Sequence, residues 1–244
     1  MALSPRGRGA VVLIAALGFA ALCTRLGIWQ LDRAHAKLDL QARIEARRSA
    51  PVLDGAALAS NAIEAAAQYD RPVRLVGRWE PGATVFLDNR QMHGVPGFFV
   101  VTPLSLAGLD VAVAVQRGWV PRNPQVRTAL PAVPTPSGDV VVEGHVGPPP
   151  SRLPAFGPDA SGPIRQNLDL AAYAQEARVR LLPLSVRQID SAATRGDGLV
   201  RDWPAPAVDV GMHYGYAAQW FAFAALSVGL YVWFQIVRPR LASR

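Results

Sequence analysis

Two long apolar runs bracket a middle segment whose hydrophobic positions alternate. The first run is Ala10 to Cys23, continuing through Thr24 and Arg25 into Leu26-Gly27-Ile28-Trp29. As a helix, the 22 residues from Ala10 to Leu31 span about 33 Å, enough for the hydrocarbon core of a bilayer. Arg25 lies near one end, where its head can snorkel to the headgroups. Trp29 is placed as an interfacial anchor. A cleaved signal peptide shares the Arg6/Arg8 start and the apolar middle. A lipoprotein signal at Cys23 would want a small residue where Leu22 stands. A retained anchor is the expectation. The second run, Tyr216 to Val237, has no charge until Arg238 and carries Trp220 and Trp233 near its ends, with Tyr214, Tyr216 and Tyr231 nearby. Aromatic belts on an uncharged 22-residue run predict a spanning helix.

Between the runs, Gln30 to Arg48 lacks Gly and Pro and reads as a helical continuation of the first span, ended by Pro51. Ala56 to Ala67 predicts a short Ala-rich helix. From Tyr69 the period changes to two. Val73 and Leu75 alternate with Pro72, Arg74 and Val76, and Val85 and Leu87 alternate before Asp88-Asn89, a turn pair. Gly97 to Pro103, Val111 to Val115, Val140 to Val146 and Leu184 to Ile189 are further strands. Gly94-Val95-Pro96-Gly97 signals a turn. One helix, Asp169 to Arg178, opens on Asp169 as N-cap. Pro121 to Gly138, Pro148 to Pro163 and Ser191 to Pro206 read as loops. The expected fold is an α+β membrane protein, with two transmembrane helices (residues 10–31 and 213–237) flanking a mainly antiparallel, barrel-like β domain. That extracytoplasmic domain covers 32–212 with a helical N-terminal extension, and residues 1–9 and 238–244 form cytoplasmic tails.

Charge orients this arrangement. The net charge is +7, which first suggests a nucleic-acid partner. Five basic residues lie in the tails, where there is no acid, leaving 20 basic against 18 acidic residues elsewhere. Nucleic acid is therefore not an expected partner; the lipid bilayer is. Arg238, Arg240 and Arg244 after the second span place the C-terminus inside, and two spans place both termini on that side. All but one of the 25 basic residues are Arg, the exception being Lys37. A single Cys excludes an intramolecular disulfide, a CxxC motif and a zinc knuckle.

Candidate chemistry is sparse. The four histidines, His35, His93, His145 and His213, show no HxxxH or HExxH spacing. No GxSxG elbow, P-loop or GxGxxG occurs. Met92-His93 and Met212-His213 invite a copper reading, but adjacent helix positions point about 100° apart, against Met212 and His213 sharing one ion. His93 and His145 read as structural. His213 stands apart because it lies three residues before the second apolar run, at the outer face. With Asp209 as N-cap it falls in the first helical turn, where the helix dipole favours the neutral ring that coordinates metals. Ala217 and Trp220 lie four and seven residues on, so on the same face. A small residue beside a large aromatic suits a flat slot for a planar macrocycle. The other reading of His213 is a polar interfacial residue making one hydrogen bond.

Four blocks carry a resemblance. They are Leu26-Gly27-Ile28-Trp29-Gln30-Leu31-Asp32-Arg33 with Lys37, and Leu87-Asp88-Asn89-Arg90 with Gly94, Gly97 and Thr102-Pro103-Leu104. Gln116-Arg117-Gly118-Trp119-Val120-Pro121 and His213-Tyr214-Gly215-Tyr216-Ala217-Ala218-Gln219-Trp220-Phe221 complete them. In this order they resemble the SURF1 family, bacterial type, with Gln116 where Asn is commoner. The resemblance implies a non-enzymatic assembly factor for haem–copper cytochrome c oxidase, helping haem a insertion into the catalytic subunit. It implies haem a as cofactor, with His213 as iron ligand beside Ala217 and Trp220. It also implies the oxidase catalytic subunit and the haem a synthesis machinery as partners. Arg90 and Arg117 suit haem propionates, since guanidinium forks match carboxylates; tying loops to the sheet is the alternative. With no transit sequence before the first span, the expected address is the bacterial inner (plasma) membrane, with the central domain periplasmic. Two competing functions are a two-span membrane sensor or ligand-binding module, against which the short tails argue, and an anchored exported hydrolase, which lacks a visible nucleophile motif.

Overall fold

A computed structural model of the chain describes residues 5–126, 128–154, 161–203 and 209–242. The extreme tails, the centre of the Pro148–Pro163 loop and the end of the Ser191–Pro206 loop lie outside the described residues. The chain divides into two compact units, one of Met1–Arg43 with Pro206–Arg244 and the other of Ile44–Ala205.

Helix α1 (Pro5–Arg48), which supplies the first unit up to Arg43, runs unbroken through the apolar run and its polar continuation. Arg47 and Arg48 in its last turn oppose the negative end of the dipole. A turn at Ser49 and Pro51 then stop it. Helix α4 spans Gly211–Val232 and passes through a π turn, Trp233–Val237, into α5, Arg238–Ala242. Pro239 explains the π turn. It has no N–H to give Gln235, and the Arg238 N–H instead reaches Trp233 O five residues back. Segments Gly7–Arg48 and Gly211–Leu241 are each long and apolar enough to cross a membrane. The two helices run antiparallel. Ser227 Oγ donates to Ala16 O at 3.3 Å near one end, and Lys37 Nζ to Asp209 O at 3.3 Å near the other. Cys23 and Ala34 are fully buried and Ala217 nearly so. Gly27 faces Phe221 so closely that a Cβ there would lie 2.7 Å from the ring.

The second unit is a closed sheet. Its strands are β1 (Pro72–Trp79), β2 (Val85–Met92), β3 (Val95–Leu106), β4 (Ala112–Pro121), β5 (Asp139–Gly147), β6 (Ile164–Arg165) and β7 (Leu181–Gln188). They are ordered β1-β5-β7-β4-β3-β2-β6. Gly77–Trp79 of β1 also pairs with Leu104–Leu106 of β3, closing β1, β5, β7, β4 and β3 into a ring. Pairing is antiparallel except for β4–β7 and β2–β6. The ring is filled by branched side chains, among them Leu75, Leu104, Val113, Val115, Val142 and Leu184. Burial alternates along β1, whereas β4 is buried on both faces, hence its unbroken apolar run. Helix α3 (Leu170–Ala177) covers Leu87, Val101 and Ala114 with Tyr173, and the Asp169 carboxylate caps it by accepting from Ala172 N at 2.9 Å.

The structure departs from the sequence expectations at several points. The Ala-rich helix α2 begins only at Ala62 (Ala62–Gln68), because Asn61 caps it by accepting from Glu64 N. Asp88-Asn89 does not reverse the chain. Asn89 takes φ 60° within a bulge of β2, between Leu87 and Arg90. The reversal comes at His93-Gly94, with φ of 50° and 77°, the positive pair of a type I′ hairpin turn. Val95 to Gly97 therefore belongs to a strand. The N-cap position of α4 is Val210 rather than Asp209, whose carboxylate still accepts the first helical N–H, from Gly211, at 2.9 Å.

Candidate functional site

Helix periodicity assembles the first candidate site. Cys23, Gly27, Gln30 and Ala34 recur at the spacing of one α1 face, three of them small, so the partner helix approaches closely. Gln30 is the polar member of that face. His213 is the third residue of α4, in its first turn as expected. His213 Nδ1 lies 2.8 Å from Gln30 Oε1, and this bond joins residues 183 positions apart. An amide oxygen only accepts, so with Oε1 facing the ring the bond is made by the Nδ1–H tautomer, the neutral form whose lone pair is on Nε2. Nε2 has no hydrogen-bond partner among the described residues. The ring is half-buried.

Ala217, one turn on from His213, is buried and is a point of close helix packing. Trp220 is half-buried and meets Phe223 edge-on, with ring centroids 6.0 Å apart. Haem iron needs one imidazole nitrogen that is unprotonated and free, and Nε2 meets that requirement. Sequence reasoning passed over Gln30 as a functional residue. The available signal was an amide on the α1 face otherwise lined by small residues.

The second unit holds the two predicted arginines, both buried. Arg90, on β2, donates through Nη1 to Ser151 Oγ and through Nη2 to Ser151 O and Gln166 O, at 2.7–3.1 Å. Arg117, on β4, donates to Thr135 Oγ1 at 2.8 Å and Pro134 O at 2.6 Å, with its guanidinium 4.7 Å from the Trp79 ring centroid. Burial lowers the pKa of both, that of Arg117 to about 10; nearby Arg201 adds to the fall and Asp197 opposes it. Their terminal nitrogens are thus taken up by loop carbonyls and hydroxyls, and the observed role is tying loops to the sheet. Trp119 joins the two motifs by donating Nε1–H to Arg90 O at 2.9 Å. The remaining histidines are dispersed. His35 is exposed on α1, and His93 pairs with Asp202 at 2.8 Å on the surface. His145 sits in β5 opposite Arg187, where burial, Arg48 and Arg187 lower its pKa against the pull of Asp70. Met92 is buried while His93 is exposed, so that pair offers no joint copper ligation. No group of three His, Cys, Asp or Glu able to hold a metal ion occurs among the described residues.

The SURF1 family model matches residues 17–225, well over half of the chain. The chain belongs to the SURF1 family. The matched range contains the barrel and both members of the Gln30–His213 pair. Among characterised relatives, Surfeit locus protein 1 of Rattus norvegicus is 30% identical over 119 residues, a stretch covering 42% of this chain and 38% of the rat protein. The chain therefore aligns with well under half of that relative's length. Within the SURF1 match, the blocks around Arg90 and Arg117 brace the barrel, and the blocks around Gln30 and His213 meet in the helix pair.

Proposed function

We infer that this SURF1 family member is a two-span membrane protein that assists assembly of haem–copper cytochrome c oxidase. On this reading it carries haem a towards the catalytic subunit, and His213 holds the iron while the haem is carried. Membership in the family supports the assembly role. The observation that carries the haem assignment is the 2.8 Å bond from His213 Nδ1 to Gln30 Oε1, which leaves Nε2 free as a ligand atom. The apolar side chains exposed along both helices, among them Ile14, Leu17, Leu22, Leu226 and Leu230, support placement in a bilayer. The acid-free basic tails support cytoplasmic termini and an exported barrel at a bacterial inner membrane. Trp220 adds apolar surface near the ligand. The ring-facing chemistry rests on the helix pair alone, since Arg90 and Arg117 spend their terminal nitrogens on loops. Such a site suits a hydrophobic cargo, because the cargo stays near lipid from arrival to release.

The test is the absorption spectrum of the full chain purified in detergent after expression in a haem a-producing host. Wild-type protein is expected to retain haem. His213→Ala is expected to lose it while remaining in the membrane fraction, and His35→Ala, His93→Ala and His145→Ala are expected to retain it. An unchanged spectrum and occupancy in His213→Ala would refute the ligand assignment.

A further inference from the structure

We propose that Gln30 is the positioning residue for His213: it fixes the ring tautomer and makes Nε2, not Nδ1, the coordinating nitrogen. The proposal rests on the haem-carrier reading of the same site. Its physical basis is the order of donors and acceptors in the helix pair. Gln30 Oε1 stands 2.8 Å from Nδ1, and an amide oxygen accepts but never donates. In water a neutral imidazole interconverts between its two tautomers. Here Oε1 is turned to the ring, so the Nδ1–H form gains a hydrogen bond, and the other tautomer would require the amide to turn over and present its NH2.

The bond also restrains the ring plane. Gln30 lies between Gly27 and Ala34 on the packed face of α1, so its backbone has little room to move away. The ends of the helix pair are held by Lys37 to Asp209 O and by Ser227 to Ala16 O. The separation between Gln30 and His213 is therefore set by the packing of the whole pair. A histidine ligand whose other nitrogen donates to an acceptor is more basic and better oriented than a free one. Gln30 performs for His213 the service that a carbonyl or carboxylate performs for many metal-bound histidines.

The test uses the full chain in detergent, with ¹⁵N-labelled histidine and haemin as the added probe, in wild type, Gln30→Leu and Gln30→Glu. Without haemin, under conditions where the ring is neutral, wild-type His213 is expected to show a protonated Nδ1 and an unprotonated Nε2. Gln30→Leu is expected to lose that bias. On haemin titration Gln30→Leu is expected to bind about 10–100-fold more weakly, the usual effect of removing such a partner. Gln30→Glu keeps the acceptor and adds charge, so it should bind and show a lower haem midpoint potential than wild type. A wild-type ring protonated on Nε2 would overturn the proposal, as would haemin affinity and spectrum unchanged in Gln30→Leu. An unshifted potential in Gln30→Glu would overturn it too, and would stand even if Gln30→Leu failed to fold. If the tautomer is as expected but wild-type protein binds no haemin, the haem reading fails while control of the tautomer by Gln30 stands.

Discussion

Replacing Gly97 with alanine tests whether the central motif is a packing device. Gly97 sits in β3 opposite Arg90 on one side and Pro121 on the other. A Cβ there would lie 2.3 Å from Val120 O and 2.5 Å from Cε2 and Cζ2 of Trp119. The first contact is with backbone held in the β3–β4 ladder. The second is with a ring whose Nε1–H is fixed on Arg90 O at 2.9 Å. Neither can yield freely. Forced overpacking of this kind costs about 1–3 kcal/mol, and displacing the indole from a buried carbonyl adds about 1–2 kcal/mol. The expected destabilisation is roughly 2–5 kcal/mol, and each kcal/mol lowers the midpoint of a domain this size by about 2–4 °C. The assay is thermal unfolding of the full chain in detergent, followed by near-ultraviolet circular dichroism. Gly94→Ala is the control. It also introduces a methyl group, at φ 77°, but into open space, and should cost only about 1–2 kcal/mol. In a Trp119→Phe background the penalty of Gly97→Ala should shrink, because the two ring atoms in the way are gone while Val120 O remains. The reasoning fails if Gly97→Ala is no more destabilising than Gly94→Ala, or if the two changes at 97 and 119 simply add.

Stability should also respond to pH through His145. Its pKa is lowered in the folded state by burial and by Arg48 and Arg187, so the unfolded chain binds the proton more readily. Stability should therefore fall as pH drops below about 6.5. His145→Gln should lessen that fall, and acid denaturation curves of wild type and variant will show whether it does. Reporter fusions after Arg244 should score cytoplasmic and fusions near Gly157 exported; an exported C-terminus would sink the two-span topology. Gly27→Ala should be tolerated, because the Phe221 ring edge it meets is the end of a side chain, whereas Gly27→Leu should part the helices. Oxidative cross-linking of an Ala16→Cys/Ser227→Cys pair in a Cys23→Ser background reads the separation directly.

Much of the architecture was legible in local patterns. Apolar length marked both long helices. Alternation marked β1 and the start of β2, short apolar runs marked β5 and β7, and the Asp169 cap marked α3. What escaped was non-local or borrowed its shape from elsewhere. Asp88-Asn89 has the composition of a turn, yet β3 pairs past it on both sides, and the positive φ of Asn89 is absorbed as a bulge. The two residues of β6 are too few to show a period. Closure of the ring depends on Gly77–Trp79 meeting Leu104–Leu106, which no window along the chain contains. The site shows the same division. His213 announced itself by its place before an apolar run. Its partner, 183 residues away, was hidden in a motif noticed only as a block. Arg90 and Arg117 left two roles open in the sequence. Their burial and their carbonyl and hydroxyl partners show them bracing loops in this structure.

This bracing governs what damage to the two arginine motifs does. A buried guanidinium surrounded by neutral oxygens loses several charge-assisted bonds when shortened, and its former partners are left without donors. Arg117 holds the Pro134–Thr135 segment and stacks on Trp79, while Arg90 holds Ser151 and Gln166 and receives Trp119 through its carbonyl. Weakening either releases a loop and loosens the strand beneath it. On the proposed function, a loss of oxidase assembly after such a change is expected to accompany a loosened barrel, which near-ultraviolet circular dichroism would show. For either arginine to reach a carboxylate on a cargo, a loop would first have to leave it, at the cost of two or three buried hydrogen bonds. Gln30 and His213 carry no such burden. Their bond uses one nitrogen of the ring and leaves the other free. On the proposed function, changes there should alter ligand chemistry with the barrel intact, because the family's motif blocks separate physically into a set that braces the barrel and a set that meets in the helix pair.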